Sequence, residues 1–121
     1  MKYILLAYTS REGWDSVDYS SPEFLEMCRF YEDLGKELAA TGELVSTEGL
    51  GEPAFTRTVR RRDGVPVAVD GPYAEAKEVL ASFSIVDVAS HDRAMEIAAR
   101  VCAAIGDSIE VRPLPEAPPG V

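Results

Sequence analysis

Histidine and tryptophan each occur once and cysteine twice in a chain of 121 residues. The two cysteines, Cys28 and Cys102, belong to no Cys-x-x-Cys or Cys/His spacing, so neither a zinc site nor a dithiol motif is expected. Acidic residues and the single histidine, His91, are too scattered for a metal centre. No apolar run approaches the roughly 20 residues of a membrane-spanning helix. Positive charge is scarce, 12 Lys and Arg against 21 Asp and Glu, for a net charge of −9. Neutralising phosphates needs a cationic face, so nucleic acid and anionic membrane are not expected partners. Gly-x-Gly-x-x-Gly, the Gly-Lys-Ser/Thr phosphate loop, His-Glu-x-x-His and Gly-x-Ser-x-Gly are all missing. No cofactor is therefore expected.

What is present describes one ordinary domain. Hydrophobic residues make up 46% and charged residues 27% of the chain, enough for a core without disulfide or metal staples. Lys2 to Tyr8 is apolar at both alternating positions, the pattern of a central strand. That run is too short for a signal peptide, and a cytoplasmic location is the expectation. Thr9 to Ser20 reads as a polar loop, in which Trp14 either caps a pocket or packs over the domain edge.

Ser21-Pro22 predicts a helix start, hydroxyl as cap and proline at the first position. Phe24, Met27, Cys28, Tyr31, Leu34 and Leu38 recur at helical spacing, and Gly42 stops the helix. Glu43 to Leu50 reads as a second strand. Phe55 to Arg62 and Val65 to Asp70 read as a hairpin across Asp63-Gly64, the composition of a type I′ turn. Arg60-Arg61-Arg62 at its tip reads as a solvated strand end. Val79 to Val88 is a long strand, apolar on both faces.

Ser90 caps a second helix whose stripe is Ala94, Ile97, Ala98, Val101, Cys102 and Ile105, with Gly106 at its end. Ile109 to Leu114 is a last strand, closing a domain of residues 1–114, and Pro115 to Val121 is a proline-rich, flexible tail. Both cysteines fall on apolar stripes and are expected to be buried, reduced thiols.

This order of elements is α+β: a ferredoxin-like antiparallel sheet with two helices on one face. The other face then needs a cover, and a second copy of the chain supplies one.

The chemistry concentrates between Asp70 and Glu78. In Asp70-Gly71-Pro72, Gly71 can take positive φ while Pro72 fixes its own φ, which makes a rigid bend at a strand end. Asp70, beside Glu75 and Glu78, is the candidate general acid or base. Lys77 and Tyr73 are candidates for positioning a ligand, and Tyr8, Gly71 and Pro72 complete the expected site. In the competing reading Asp70 caps the turn backbone and the charges beyond it are solvated. His91 follows a helix cap and faces water.

Asp70-Gly71-Pro72-Tyr73-Ala74-Glu75-Ala76-Lys77-Glu78 resembles the signature of the DGPF branch of the YCII-related proteins. It departs from that signature at Tyr73, where Phe is usual, and at Ala76, where Thr is usual. The opening Met1 to Leu6, Gly49-Leu50, Asp63-Gly64, Phe83 to Val88 and Ile109 to Pro113 resemble the family in the same order. The resemblance implies a dimeric α+β barrel with its active site around Asp70. Related proteins use a His–Asp pair whose histidine lies in the first helix region. This chain has none there, so that role does not pass to His91.

By the same resemblance, an enzyme would be a lyase or isomerase moving a proton on a small polar molecule. The alternative is a non-catalytic regulatory module whose partner is an extracytoplasmic-function sigma factor.

Overall fold

The computed structural model describes residues 1–71, 77–105 and 108–116. Four strands form one antiparallel sheet: β1 (Lys2–Ser10), β2 (Leu44–Gly49), β5 (Glu78–Asp87) and β6 (Ser108–Leu114). Their order is β2-β5-β1-β6, so the two long apolar strands, β1 and β5, are central as their pattern predicts. With helices between β1 and β2 and between β5 and β6, this is the ferredoxin-like α+β arrangement.

The first long helix, α2 (Pro22–Thr41), starts on the Ser21 cap, whose hydroxyl accepts from the Phe24 N–H, and ends on Gly42 at φ 79°. The second, α3 (His91–Ile105), starts where the Ser90 hydroxyl accepts from the Arg93 N–H at 3.1 Å. Both cover the same face of the sheet. Tyr3 and Leu5 of β1, Val86 of β5 and Val88 just beyond it meet Leu34 and Leu38 of α2 and Ala94, Ile97, Ala98 and Val101 of α3. Ile97 and Val86 are the largest of the fully buried side chains. Glu43 and Arg93 clamp this end with two bonds of 2.9 Å.

The opposite face carries Ile4, Leu6 and Tyr8 of β1 beside Leu80, Phe83 and Ile85 of β5, all half-buried. Among the described residues no helix covers them.

Three expectations need correction. The stretch Thr9 to Ser20 is not all loop: its start completes β1, and α1 (Arg11–Asp15) follows, with the Ser10 hydroxyl accepting from the Gly13 N–H at 2.8 Å. The capping role of Ser10 depends on the chain bending there, which its polar surroundings in sequence do not specify. The strand expected from Phe55 begins at Arg57; Phe55 ends a 3₁₀ turn opened by Pro53 and is 80% exposed.

Cys28 and Cys102 are reduced, but both are exposed rather than buried. The apolar stripe of α2 runs past the packed core, with burial only at Leu34 and Leu38, and Cys28 stands on the stretch that overhangs. On α3 the buried stripe is narrower than the spacing suggests, and Cys102 lies beside it.

The hairpin of β3 (Arg57–Arg62) and β4 (Val65–Asp70) is a separate two-stranded ribbon. Its turn has Asp63 at φ 49° and Gly64 at φ 79°, the double positive φ that Asp-Gly supplies. Gly106 and residues 117–121 lie outside the described residues.

Candidate functional site

The site grows out of a change in side-chain size along the sheet. On the helix-covered face, Tyr3, Leu5 and Val86 give way toward the other end to Ala7, Ser82 and Gly49. There the β1–β5 ladder shifts register between Ala7, opposite Ser82, and Tyr8, opposite Leu80. The extra residue is Ala81, and a bulge of this kind puts two successive side chains on one face. Ala81 and Ser82 both line the space above. Small floor residues cannot reach α2, so its first two turns stand off the sheet.

The result is a cavity of about 600 Å³. Phe24, Met27, Cys28 and Tyr31 of α2 form one wall, Gly49 and Leu50 at the end of β2 another, and Trp14, Val17 and Tyr19 the roof. Ile105 closes it from α3. The roof is tied at several points. The Arg11 N–H donates to the Lys77 carbonyl at 3.1 Å, and the Tyr19 ring meets Phe24 edge-on with centroids 5.1 Å apart. The Tyr19 hydroxyl reaches Glu52 Oε1 at 3.5 Å.

Trp14 therefore caps a pocket, the first of the two roles its position suggested. Among the described residues, its indole Nε1 is the buried side-chain polar atom that has no hydrogen-bond partner. A buried donor in that state costs about 1–3 kcal/mol. The roof is thus held less well than the core beneath the other half of α2.

The residues singled out in the sequence divide. Tyr8 lies at the edge of the cavity floor between Ala7 and Thr9, and its side chain belongs to the opposite face, where it shares a second cleft with Glu78, Ser108 and Glu110. Asp70 does not line the cavity. Its side chain is 92% exposed, with a carboxylate oxygen 3.2 Å from Arg57 Nε directly across the hairpin. Gly71 has the positive φ that the bend predicts, 92°. It is held by Thr56, whose carbonyl accepts its N–H at 2.7 Å, and by the Thr58 hydroxyl, which donates to its carbonyl at 2.8 Å. Lys77 and Glu78 are exposed at the start of β5. Pro72, Tyr73 and Glu75 lie outside the described residues. His91 sits at the packed end, edge-on to Tyr3 with centroids 5.7 Å apart.

Phe24, Met27, Cys28, Tyr31, Ala81 and Ser82 were not expected at a site. Their signal was present in the sequence as a mismatch: a large apolar stripe on a helix, opposite small residues on the strand beneath it. Among the described residues no group of three or more His, Cys, Asp or Glu side chains gathers as a metal site. No helix among them is long and apolar enough to cross a membrane.

The family model for the YCII-related domain matches residues 1–117. An uncharacterised protein of Rhizobium meliloti (strain 1021) is 30% identical over 122 residues, which cover 99% of this chain and 97% of that one.

Proposed function

The chain belongs to the YCII-related family, and on that premise we propose that it binds a small molecule in the cavity between α2 and the bulged end of the sheet. The observation that carries this reading is the floor of Ala7, Gly49, Ala81 and Ser82 beneath a wall of large apolar side chains. A concave opening of about 600 Å³ with a mainly apolar and aromatic lining has the size and character of a small-molecule site. Asp70 as the acid or base of a lyase or isomerase is the competing reading. It draws on the rigid bend that Gly71 makes, and it places the chemistry on the ribbon, away from this floor.

Paired variants decide between the two in a thermal-shift metabolite screen. Ser82→Leu fills the floor and is expected to abolish the ligand response. Asp70→Asn is expected to keep it. The reverse pattern would move the site to Asp70.

The protein acts, in this reading, as a homodimer. The half-buried row of Ile4, Leu6, Phe83 and Ile85 is the natural cover for a second copy of itself. Sedimentation equilibrium is expected to give twice the chain mass at micromolar concentration, and Leu6→Glu to give the chain mass. A wild-type monomer at that concentration would rule the dimer out.

A further inference from the structure

The hairpin ribbon has no part in the cavity. Among the described residues β3 and β4 pair with each other and with no strand of the main sheet. Every position from Arg57 to Asp70 except Thr58 is exposed. A two-stranded hairpin is marginally stable in water by itself, and this one is bare on both faces and along both edges. Register puts Val65, Val67 and Val69 on one face with Arg62, and Val59 on the other with Arg61. All four valines are exposed. Exposed apolar columns on an unpaired ribbon are the mark of a surface that meets another chain.

Charge says which chain. From Arg57 to Asp70 there are four arginines and two aspartates, a balance of +2 in a chain of −9, so the rest of the molecule carries −11. The face of the main sheet that the helices leave uncovered is framed by carboxylates. Glu48, Phe83, Leu6 and Glu110 stand in one row across it, an apolar pair with a carboxylate on the edge strand at either side. Glu110 is 3.8 Å from Arg112 Nε on the same strand. Glu78, opposite Ser10, follows on the same face. The ribbon is also long enough to cross such a face. Its strands of six residues extend about 20 Å, whereas four strands side by side span about 14 Å. Its exposure shows that it does not lie on its own sheet.

Resting on the homodimer reading, we infer that the ribbon is a clasp. It lies across the uncovered sheet of a second copy, with valines against the apolar row and arginines at the carboxylates on its margins. Two-fold symmetry makes the contact twice, once from each copy. Opposed charge then fixes how the two copies dock, and a wrong partner with a basic face is repelled.

A charge swap tests this by sedimentation equilibrium at low salt. One variant, Arg61→Glu/Arg62→Glu, reverses the ribbon tip on both of its faces. The other, Glu48→Lys/Glu110→Lys, reverses the margins of the sheet. All four side chains are exposed, and both variants are expected to melt like wild type. Each alone is expected to dimerise at least about tenfold more weakly than wild type, because like charges meet at both contacts. An equal mixture is expected to recover wild-type affinity to within about threefold, since each contact in the mixed dimer again joins opposite charges.

If both variants dimerise like wild type, or if mixing gains nothing over either alone, the clasp is wrong while the dimer stands. A ribbon variant that keeps the dimer but loses retention on an immobilised DNA duplex would assign the ribbon to nucleic acid and equally overturn the inference. A wild type that is monomeric at micromolar concentration removes the dimer, and the clasp falls with it.

Discussion

The two ends of the helix-covered face are made from the same elements and differ in what they enclose. At one end Tyr3, Leu5, Val86 and Val88 interlock with Leu38, Ala94 and Ile97. The interstice beside them, lined by Leu5, Leu34 and Ile97, amounts to about 30 Å³. At the other end the same β1, β5 and α2 surround about 600 Å³. The apolar spacing of α2 is continuous across both. What changes is the volume on the strand side, and with it the helix passes from packed core to cavity wall without a break in its pattern. Apolar periodicity thus says which face of a helix turns inward; it does not say whether that face meets protein.

Three substitutions sharpen the comparison, in order of expected effect. Ile97→Ala, at a side chain only 1% exposed, opens a void in the packed end and is expected to cost about 2–5 kcal/mol by denaturant unfolding. That is a large part of the 5–15 kcal/mol typical of a whole domain. A cost under about 1 kcal/mol would mean the two ends are packed alike.

Glu43→Gln tests the clamp at the same end. The Arg93 guanidinium bonded to Glu43, with help from the Thr41 hydroxyl, holds its carboxyl below the ordinary value of 4.5. A depressed carboxylate contributes stability that is present above the unfolded value and is lost as pH falls through the folded one. Wild type is therefore expected to lose stability below about pH 4.5 at this pair, and Glu43→Gln to lack that part of the pH dependence. At pH 7 the substitution is expected to cost about 2 kcal/mol, the worth of a hydrogen bond to a charged group. Parallel pH profiles for the two proteins would remove the pair from the account.

The smallest effect on stability belongs to the hollow end. Ser82→Leu adds bulk where there is room for it, and its midpoint of unfolding is expected to stay within about 1 kcal/mol of wild type. A severe loss would show that this end is as tightly constrained as the other.

Most of the scaffold could be read in advance because its signals are local. Ser21-Pro22, Gly42, Asp63-Gly64 and Ser90 each act within a few residues, and each does in the fold what its chemistry predicts. The alternating and helical apolar patterns supplied the order of strands and helices on the same basis. The cavity was less legible, because it exists only where α2 and β5, distant in sequence, are laid across each other.

The thiol of Cys28 was misplaced for that reason: its stripe is apolar, and nothing in the helix itself reveals that the strand opposite offers only Ala7, Ala81 and Ser82. Asp70 drew attention through its turn. The turn is as expected at Gly71, while the partner that occupies the carboxylate, Arg57, is set by the hairpin register.

The bulge at Ala81 has a consequence for how such a protein can change over generations. Removing that one residue would let β1 and β5 pair without interruption from Lys2 to Ser10, and every other side chain on the two strands would keep its face. A three-base deletion would thereby take one of the floor positions away and draw the strand straight, with the core at the far end untouched. The reverse event, a single codon gained, would add a floor position to a plain strand. Within this architecture one small indel gains or loses a whole floor residue, whereas substitutions at Ala7, Ser82 or Gly49 adjust the depth of the cavity a few atoms at a time.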